Sequence, residues 1–478
     1  MSRALAFTVL ADTHYYDASL GVTGVAYALR SASDQKCLAE TDAIISAAFS
    51  EIAESETDAV LIAGDLSNDG ERVCHEKMRE KLYALQKKKR VFLTTATHDW
   101  CCDKNPRRFD GEAVYGDVET LSSTQLYDFY ADFGVRGARD TFRTHIGTAS
   151  YLADLSDSVV LLSLIDDKNG NDHAGYTPDH LRWILNTVRR ETAAGKTVVA
   201  MQHHLLYPHI SPLITNGCCC ENRDELREQL ADAGLRFLFV GHSHIQRIDK
   251  FVSQNGKELY EINVGSLCGY PAPRVEVTIT EDEVRLQTVC LRQFAYNGKT
   301  VDAQELLAAH TVHLLGGVLT VFAHGTKQEA IKKLQSFGVS EHNAKAVCGN
   351  GYPLLQRIAR LLLRARVKDA AALLRRLPGG KAITRADIDA VCNMPLTEIA
   401  NSIFLSVLSG KPLRESVPQA VCRLLCAATG IPSALLTKLH VDDEKLCALA
   451  RELPQMLTEI CTGGALDNQN LTIKRKQA

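Results

Sequence analysis

Short apolar runs of strand length recur up to about residue 300, at 6–12, 59–65, 91–97, 159–165, 197–201 and 236–240. They are nearly continuous rather than alternating, the pattern of strands buried on both faces in α/β layers. Between them, 43–54 and 178–190 carry helical spacing. The second of these opens on Thr177-Pro178, an N-cap with proline at the first helical position. After Gly241 the pattern turns to hairpins: 247–253 and 258–264 about Asn255-Gly256, then short strands at 274–280 and 283–291. Beyond Asp302 the strands stop. The segments 306–322, 327–337, 353–377, 384–408, 417–428 and 436–461 read as amphipathic helices with Gly/Pro breaks. The chain therefore divides into an α/β domain over 1–300, an all-α domain over 303–467 and a polar tail over 468–478. Residues 101–148 form an insertion long enough to be a lid or specificity element, helical near 124–133.

Composition narrows this. Of 478 residues, 45% are hydrophobic and 23% charged, which excludes disorder, collagen, coiled coil and a membrane bundle. A formal charge of −3 gives no general pull toward nucleic acid. Fifteen cysteines, including Cys101-Cys102 and Cys218-Cys219-Cys220, show neither a disulfide framework nor a structural zinc pattern. Scattered thiols fit a reducing compartment. The apolar run 4–10 meets Asp12 too soon for a signal peptide, and 314–323 falls short of the roughly 20 residues of a bilayer span. The expected location is cytoplasmic, with no membrane partner.

The chemistry collects where strands end. One ends in Asp12-Thr13-His14, the next in Gly64-Asp65, and the third runs into Thr97-His98-Asp99. Later strands end in His203-His204 and Gly241-His242-Ser243-His244. In open α/β sheets the carboxyl ends of strands converge on one crevice. Carboxylates and imidazoles gathered there suit Mn, Fe or Zn, and a carboxylate shared by two ions builds a two-metal hydrolytic site.

In these fragments and their order, residues 5–295 resemble the calcineurin-like metallophosphoesterase family, in bacterial members of which the regions of Leu181-Arg182-Trp183 and Asn263–Ser266 are also similar. The resemblance implies a four-layer α/β/β/α sandwich, followed here by the all-α domain. It also implies two divalent ions: Asp12, His14 and His244 on the first, Asp65 bridging, and His203, His242 and residue 97 on the second. His203 is assigned over its neighbour His204. His98 would contact the phosphoryl oxygen or protonate the leaving group, oriented by Asp99. The ions would hold a bridging hydroxide near neutral pH and stabilise charge in an in-line transition state on a phosphomonoester or phosphodiester. One position departs from the pattern: Thr97 stands where the family has asparagine. A threonine hydroxyl is the poorer oxygen ligand, so a weakened second site is expected.

Other readings compete. A cyclic-nucleotide phosphodiesterase or a nuclease would use the same centre, although a basic groove signature for nucleic acid is missing; a binding scaffold on a degenerate fold would have lost ligands. Tyr15, Tyr16 and Asp17 either line the pocket or pack locally, and His173 and Tyr176 are further candidates to face substrate. Cys218–Cys220 and the Cys422/Cys426 pair read as free or core thiols. Arg357, Arg360, Arg364 and Lys368, followed by Arg375, Arg376 and Lys381, make the one basic stripe, read as a solvated helix face. Capping the site and oligomerisation are both open to the helical domain.

Overall fold

The computed structural model describes residues 4–170, 173–211, 215–335, 344–345, 348–349, 351–375, 383–428 and 444–475. Strand β1 (Leu5–Leu10) pairs in parallel with β2 (Ala59–Ala63), which pairs in parallel with β3 (Arg90–Thr94). A hairpin β4/β5 (Arg108–Asp110, Ala113–Tyr115) and strand β6 (Asp140–Arg143) come from the insertion. Then follow β7 (Ala149–Ser156), β8 (Val159–Ser163), β9 (Thr197–Met201), β10 (Phe237–Val240), β11 (Arg247–Val252) and β12 (Glu258–Asn263). β13 (Pro273–Ile279), β14 (Glu283–Cys290), a second hairpin β15/β16 (Gln293–Tyr296, Lys299–Asp302) and β17 (Asn470–Lys474) complete the set. One sheet runs β17-β14-β13-β1-β2-β3 and the other β11-β12-β10-β9-β8-β7-β6.

Alternate residues of each central strand face opposite ways. Phe7, Val9, Leu61, Leu161, Phe237 and Phe239 point between the sheets, where Phe7 and Phe239 meet edge-on at 6.1 Å. Leu10, Val60 and Ile62 point outward onto helices α2 (Thr41–Glu54) and α3 (Arg72–Gln86), which follow the short α1 (Gly24–Ser31). On the far side, Val160, Leu162 and Val198 meet α5 (Pro178–Ala193) and α6 (Arg223–Ala233); α4 (Ser123–Phe129) lies in the insertion. The result is the expected helix–sheet–sheet–helix sandwich. The insertion packs rather than hanging free: Phe109, Leu121, Leu126, Tyr130 and Phe133 join the helix-side core.

The C-terminal region is mostly helical: α7 (Ala303–His324), α8 (Lys327–Gln335), α9 (Tyr352–Arg364), α10 (Val367–Leu374), α11 (Arg385–Val391), α12 (Leu396–Ser409), α13 (Gln419–Ala428) and α14 (Glu444–Thr462). Two expected long helices are each broken in two. The first turns at Ala365, whose extended backbone ends α9. The second breaks before Pro395, because proline disfavours the helical conformation in the residue ahead of it. Positions 336–337, 376–377 and 436–443 of the expected helices, with Arg376 and Lys381, lie outside the described residues.

Two further expectations are corrected. Residues 470–474 are not a polar tail but the edge strand β17, with Ile473 opposite Val284 and Leu471 opposite Leu286. Two apolar residues alternating with polar ones suffice to seal the sheet edge, and such a short period is hidden in a polar composition. Within the expected α/β region a further hairpin follows β14, where Asn297-Gly298, both with positive φ, make the tight turn of β15/β16. Finally, α7 continues through Gly316-Gly317 to 22 residues, so among the described residues one helix is by length and composition apolar enough to cross a membrane.

The loop after β9 is pinned by a buried cation. His209, fully buried, donates from Nδ1 to Asp249 (2.6 Å) and from Nε2 to Glu261 (3.0 Å). Burial opposes its charge, yet the two carboxylates raise its pKa to about 9. A raised folded pKa stabilises fully below the unfolded value of about 6.5, and the contribution fades as pH rises through 9. We expect the melting-temperature gap between wild type and His209→Gln to be widest near pH 6 and to narrow by pH 9.5. A gap independent of pH would show that His209 is neutral in the fold.

Candidate metal centre

Five strands deliver their C-terminal ends to one crevice. Asp12 and His14 follow β1, Asp65 follows β2, Thr97 and His98 follow β3, His203 follows β9, and His242 and His244 follow β10. Asp12, His14, Asp65, His242 and His244 all take positive φ, between 41° and 65°. That is costly for residues with a Cβ, and a cluster of such residues marks a site the surrounding fold over-determines. Backbone bonds from Asp12 N to Gly64 O (3.2 Å) and His14 N to Asp65 O (2.9 Å) hold the first two turns, and His242 N donates to the Asp12 carboxylate (3.0 Å). Two glycines are required by closeness: a Cβ on Gly64 would lie 2.7 Å from the His203 ring, and one on Gly241 would lie 2.4 Å from Asp12 Oδ2.

The side chains form two ligand triads, Asp12–His14–His244 and Asp65–His203–His242. His14 Nε2 lies 3.1 Å from His244 Nε2, and His244 Nε2 lies 3.4 Å from Asp12 Oδ1. His203 Nε2 lies 3.0 Å from Asp65 Oδ2 and 3.2 Å from His242 Nδ1. His14 Nε2 is also 3.8 Å from Asp65 Oδ2, so Asp65 stands between the two groups. The other ring nitrogens show what these atoms are for. His203 Nδ1 donates to the Ala63 carbonyl (2.9 Å) and His244 Nδ1 to the Gln35 side-chain oxygen (2.9 Å). Each ring thereby turns its Nε2 lone pair toward the cluster, the way metal-binding imidazoles are oriented. Imidazole nitrogens and carboxylate oxygens facing one another at these distances are held by a shared proton or by a metal ion, and the groups are of a size to hold an ion. The donor set of imidazole and carboxylate fits Mn, Fe or Zn.

The electrostatics agree with a cation-binding centre. Burial acts to raise the Asp12 pKa, but His244, His14 and His203 hold it far below the usual carboxylate range. Asp65 is likewise held down against burial, chiefly by His203 and His98. Burial, helped by the charge of Lys36, pushes His14 down to about 3.

His98 is brought to the same place. It forms a third close group with His14 and Asp65, and its backbone N–H donates to Asp65 Oδ1 (3.1 Å). Burial opposes its charge, but Asp65 and Asp69 raise its pKa to about 9. The expected role of Asp99 is corrected. Its carboxylate accepts from the backbone amides of Leu66 (2.8 Å), Ser67 (2.9 Å) and Ala96 (2.9 Å), tying the β2 and β3 turns together. The ring of His98 is instead oriented by Asn68 O and by Asp69 Oδ1 (3.2 Å). A carboxylate next in sequence is turned into the protein by the 3-10 turn 97–100, whereas Asp69 reaches the ring from the β2 loop.

Thr97 is buried, opening that turn. The tandem histidines separate: His203 faces Asp65, while His204 Nδ1 pairs with Asp166 (3.2 Å). Tyr15 and Tyr16 are buried in the helix-side core, with Tyr15 Oη on Asp42 (2.8 Å) and Tyr16 Oη on the Gly21 carbonyl (2.9 Å). Tyr176 Oη donates to Gln202 (2.7 Å), and His173 pairs with Glu221 (2.6 Å). Arg357, Arg360, Arg364 and Lys368 are exposed, Arg360 bonding the Ala323 carbonyl at 2.7 Å.

Residues 5–246 match the family model described as calcineurin-like phosphoesterase. The chain belongs to the calcineurin-like phosphoesterase family. It is accordingly a metal-dependent phosphoesterase, and the family is dinuclear. No curated protein matches it. Similar solved structures include a dimetal phosphatase from Danio rerio (12% identity, TM-score 0.43, covering 60% of this chain and 96% of that one). A purple acid phosphatase from yellow lupin seeds is 9% identical, with TM-score 0.40, covering 63% of this chain and 53% of that one. A 5′-nucleotidase precursor from Thermus thermophilus is 12% identical, with TM-score 0.36, covering 67% and 60%.

Sequence reasoning about this phosphoesterase missed Gln35, Asn68, Asp69 and Asp166. Asn68-Asp69 stands two residues beyond Gly64-Asp65 and was open to notice. Gln35 and Asp166 sit in loops without periodicity, and only the fold brings them to the histidines.

Proposed function

We propose that this chain hydrolyses phosphate esters at a dinuclear centre held by Asp12, His14 and His244 on one side and His203, His242 and Thr97 on the other, with Asp65 between. The observation that carries this reading is the pair of ligand triads meeting at Asp65. Two divalent ions held by these residues would acidify a water to a nucleophile near neutral pH and offset charge on the phosphoryl group. The chain's own residues bind and orient. Ala63 O and Gln35 fix the His203 and His244 rings, Asp99 locks the turns that present Asp65 and His98, and Asp69 aims His98. His98, its side chain 37% exposed, stands at the mouth of the crevice, where it can meet the ester oxygen and protonate the leaving group.

Metal content per chain, measured with hydrolysis of an aryl monoester and an aryl diester, tests this. Two ions with hydrolysis support it; a chain that takes up no divalent ion and cleaves neither ester is a scaffold. Thr97 gives a finer expectation. Thr97→Asn supplies a carbonyl oxygen where a hydroxyl now stands, so the second ion binds more tightly. Titrating limiting Mn into both proteins checks it, and equal affinities would rule out Thr97 as the weak ligand.

A further inference from the structure

Of the segment between α1 and α2 the roles above use only Gln35, and beside it stands a largely buried cation, Lys36. Lys36 has three N–H donors and a side chain only 6% exposed. Among the described residues the nearest carboxylate oxygen, Asp34 Oδ2, is 3.8 Å away, beyond hydrogen-bond reach. That same oxygen is bound by Arg30 at 2.7 Å. Among the described residues the ammonium has no hydrogen bond. An ammonium at the end of so buried a stem, with no carboxylate in hydrogen-bond reach, keeps its donors for an anionic ligand.

Its position says what ligand. The neighbouring Gln35 accepts from the metal-facing His244, and Cys37 N donates to Cys268 O (2.9 Å), so the segment lies against the centre. The charge of Lys36 is felt at His14, His98 and Asp69. Two further cations stand on this side: Arg30 is 3.6 Å and Arg107 3.3 Å from Asp69, and Arg107 Nε is buried without a partner among the described residues. The C-terminal helices fasten the segment. His310 of α7 donates to Asp34 O (2.8 Å), and Lys333 of α8 donates to Ala32 O (3.0 Å) and Ser33 Oγ (3.1 Å).

We propose that Lys36 is a catalytic residue whose ammonium binds a non-bridging phosphoryl oxygen, selecting the dianion of a phosphomonoester over the monoanion of a diester. This rests on the phosphoesterase reading above. A monoester brings one more unesterified oxygen and one more negative charge than a diester, and a compact ammonium on the segment that meets His244 serves that surplus. The C-terminal helices thereby act on specificity, by holding the segment that carries Lys36.

The test compares metal-loaded wild type with Lys36→Met, using an aryl monoester, an aryl diester and inorganic phosphate, with metal content and melting temperature alongside. Methionine keeps the length of the stem without the charge; Lys36→Gln serves if that variant does not fold. We expect kcat/KM on the monoester to fall about 10²-fold, as for loss of one oxyanion donor, and on the diester less than about tenfold. Phosphate binding, read by calorimetry, weakens about tenfold for loss of one charge-assisted contact. Metal content stays the same, and the melting temperature holds because Arg30 still pairs Asp34 at 2.7 Å. Equal losses on both esters, loss of metal, or unchanged phosphate affinity would each overturn the assignment. A wild type that cleaves neither ester overturns the phosphoesterase reading instead, and phosphate affinity lowered by Lys36→Met still upholds the anion site.

Discussion

Replacing Asp65 with asparagine should cost more than any other single change, at least about 10³-fold in kcat/KM. That is the upper range for removing one preorganised donor at a charged transition state, and Asp65 answers to both ligand groups. Its Oδ2 is 3.0 Å from His203 Nε2 and 3.8 Å from His14 Nε2, while Oδ1 accepts from His98 N. Asparagine keeps the shape and that backbone bond but removes the charge shared by two cations. Metal content should therefore fall together with activity. Mass spectrometry of the metal in purified variant and wild type reads the first, and ester hydrolysis the second. Full metal content with full activity in Asp65→Asn would mean that the centre is not bridged there.

His98→Asn should lower hydrolysis by about 10²–10⁴-fold, the usual worth of a placed general acid. Metal content should stay unchanged. The loss should deepen as the leaving group becomes more basic, because a good leaving group departs without a proton. A series of aryl esters of rising phenol pKa measures that slope. His98 also stands with His14 and Asp65 in a metal-sized group, and this gives the experiment its second arm. If metal is lost with the imidazole, His98 is a ligand rather than an acid. Asp69→Asn should then be milder in either case, since Asn68 O still holds the ring.

How much of this was legible in advance differs from residue to residue. Asp12, His14, Asp65, His242 and His244 follow apolar runs directly. A strand buried on both faces announces itself, and whatever chemistry ends it lands at the sheet's carboxyl edge. Asp99 was misread for a local reason. Adjacency in sequence suggested that it orients His98, but one turn of 3-10 helix points the two side chains apart, and Asp69, 29 residues earlier, reaches the ring. The edge strand β17 was hidden because three polar residues surround the two apolar ones that pair with β14.

Local order and chemistry could thus be read along the chain, since alternation, caps and strand-end motifs depend on near neighbours. The α/β strand runs, the motifs that end them and the helical C-terminal region belong to that part, whereas the α/β/β/α layering was implied by the family resemblance. The tertiary structure decided what depends on distant segments meeting. It separated His203 from His204, put Gln35 on His244 across 209 residues, and set Lys36 next to Gln35 with Asp34 no nearer than 3.8 Å. It also tied α7 and α8 to the segment 32–36 through His310 and Lys333. Hydrogen bonds and charges act over a few ångströms, and only folding fixes which groups come that close.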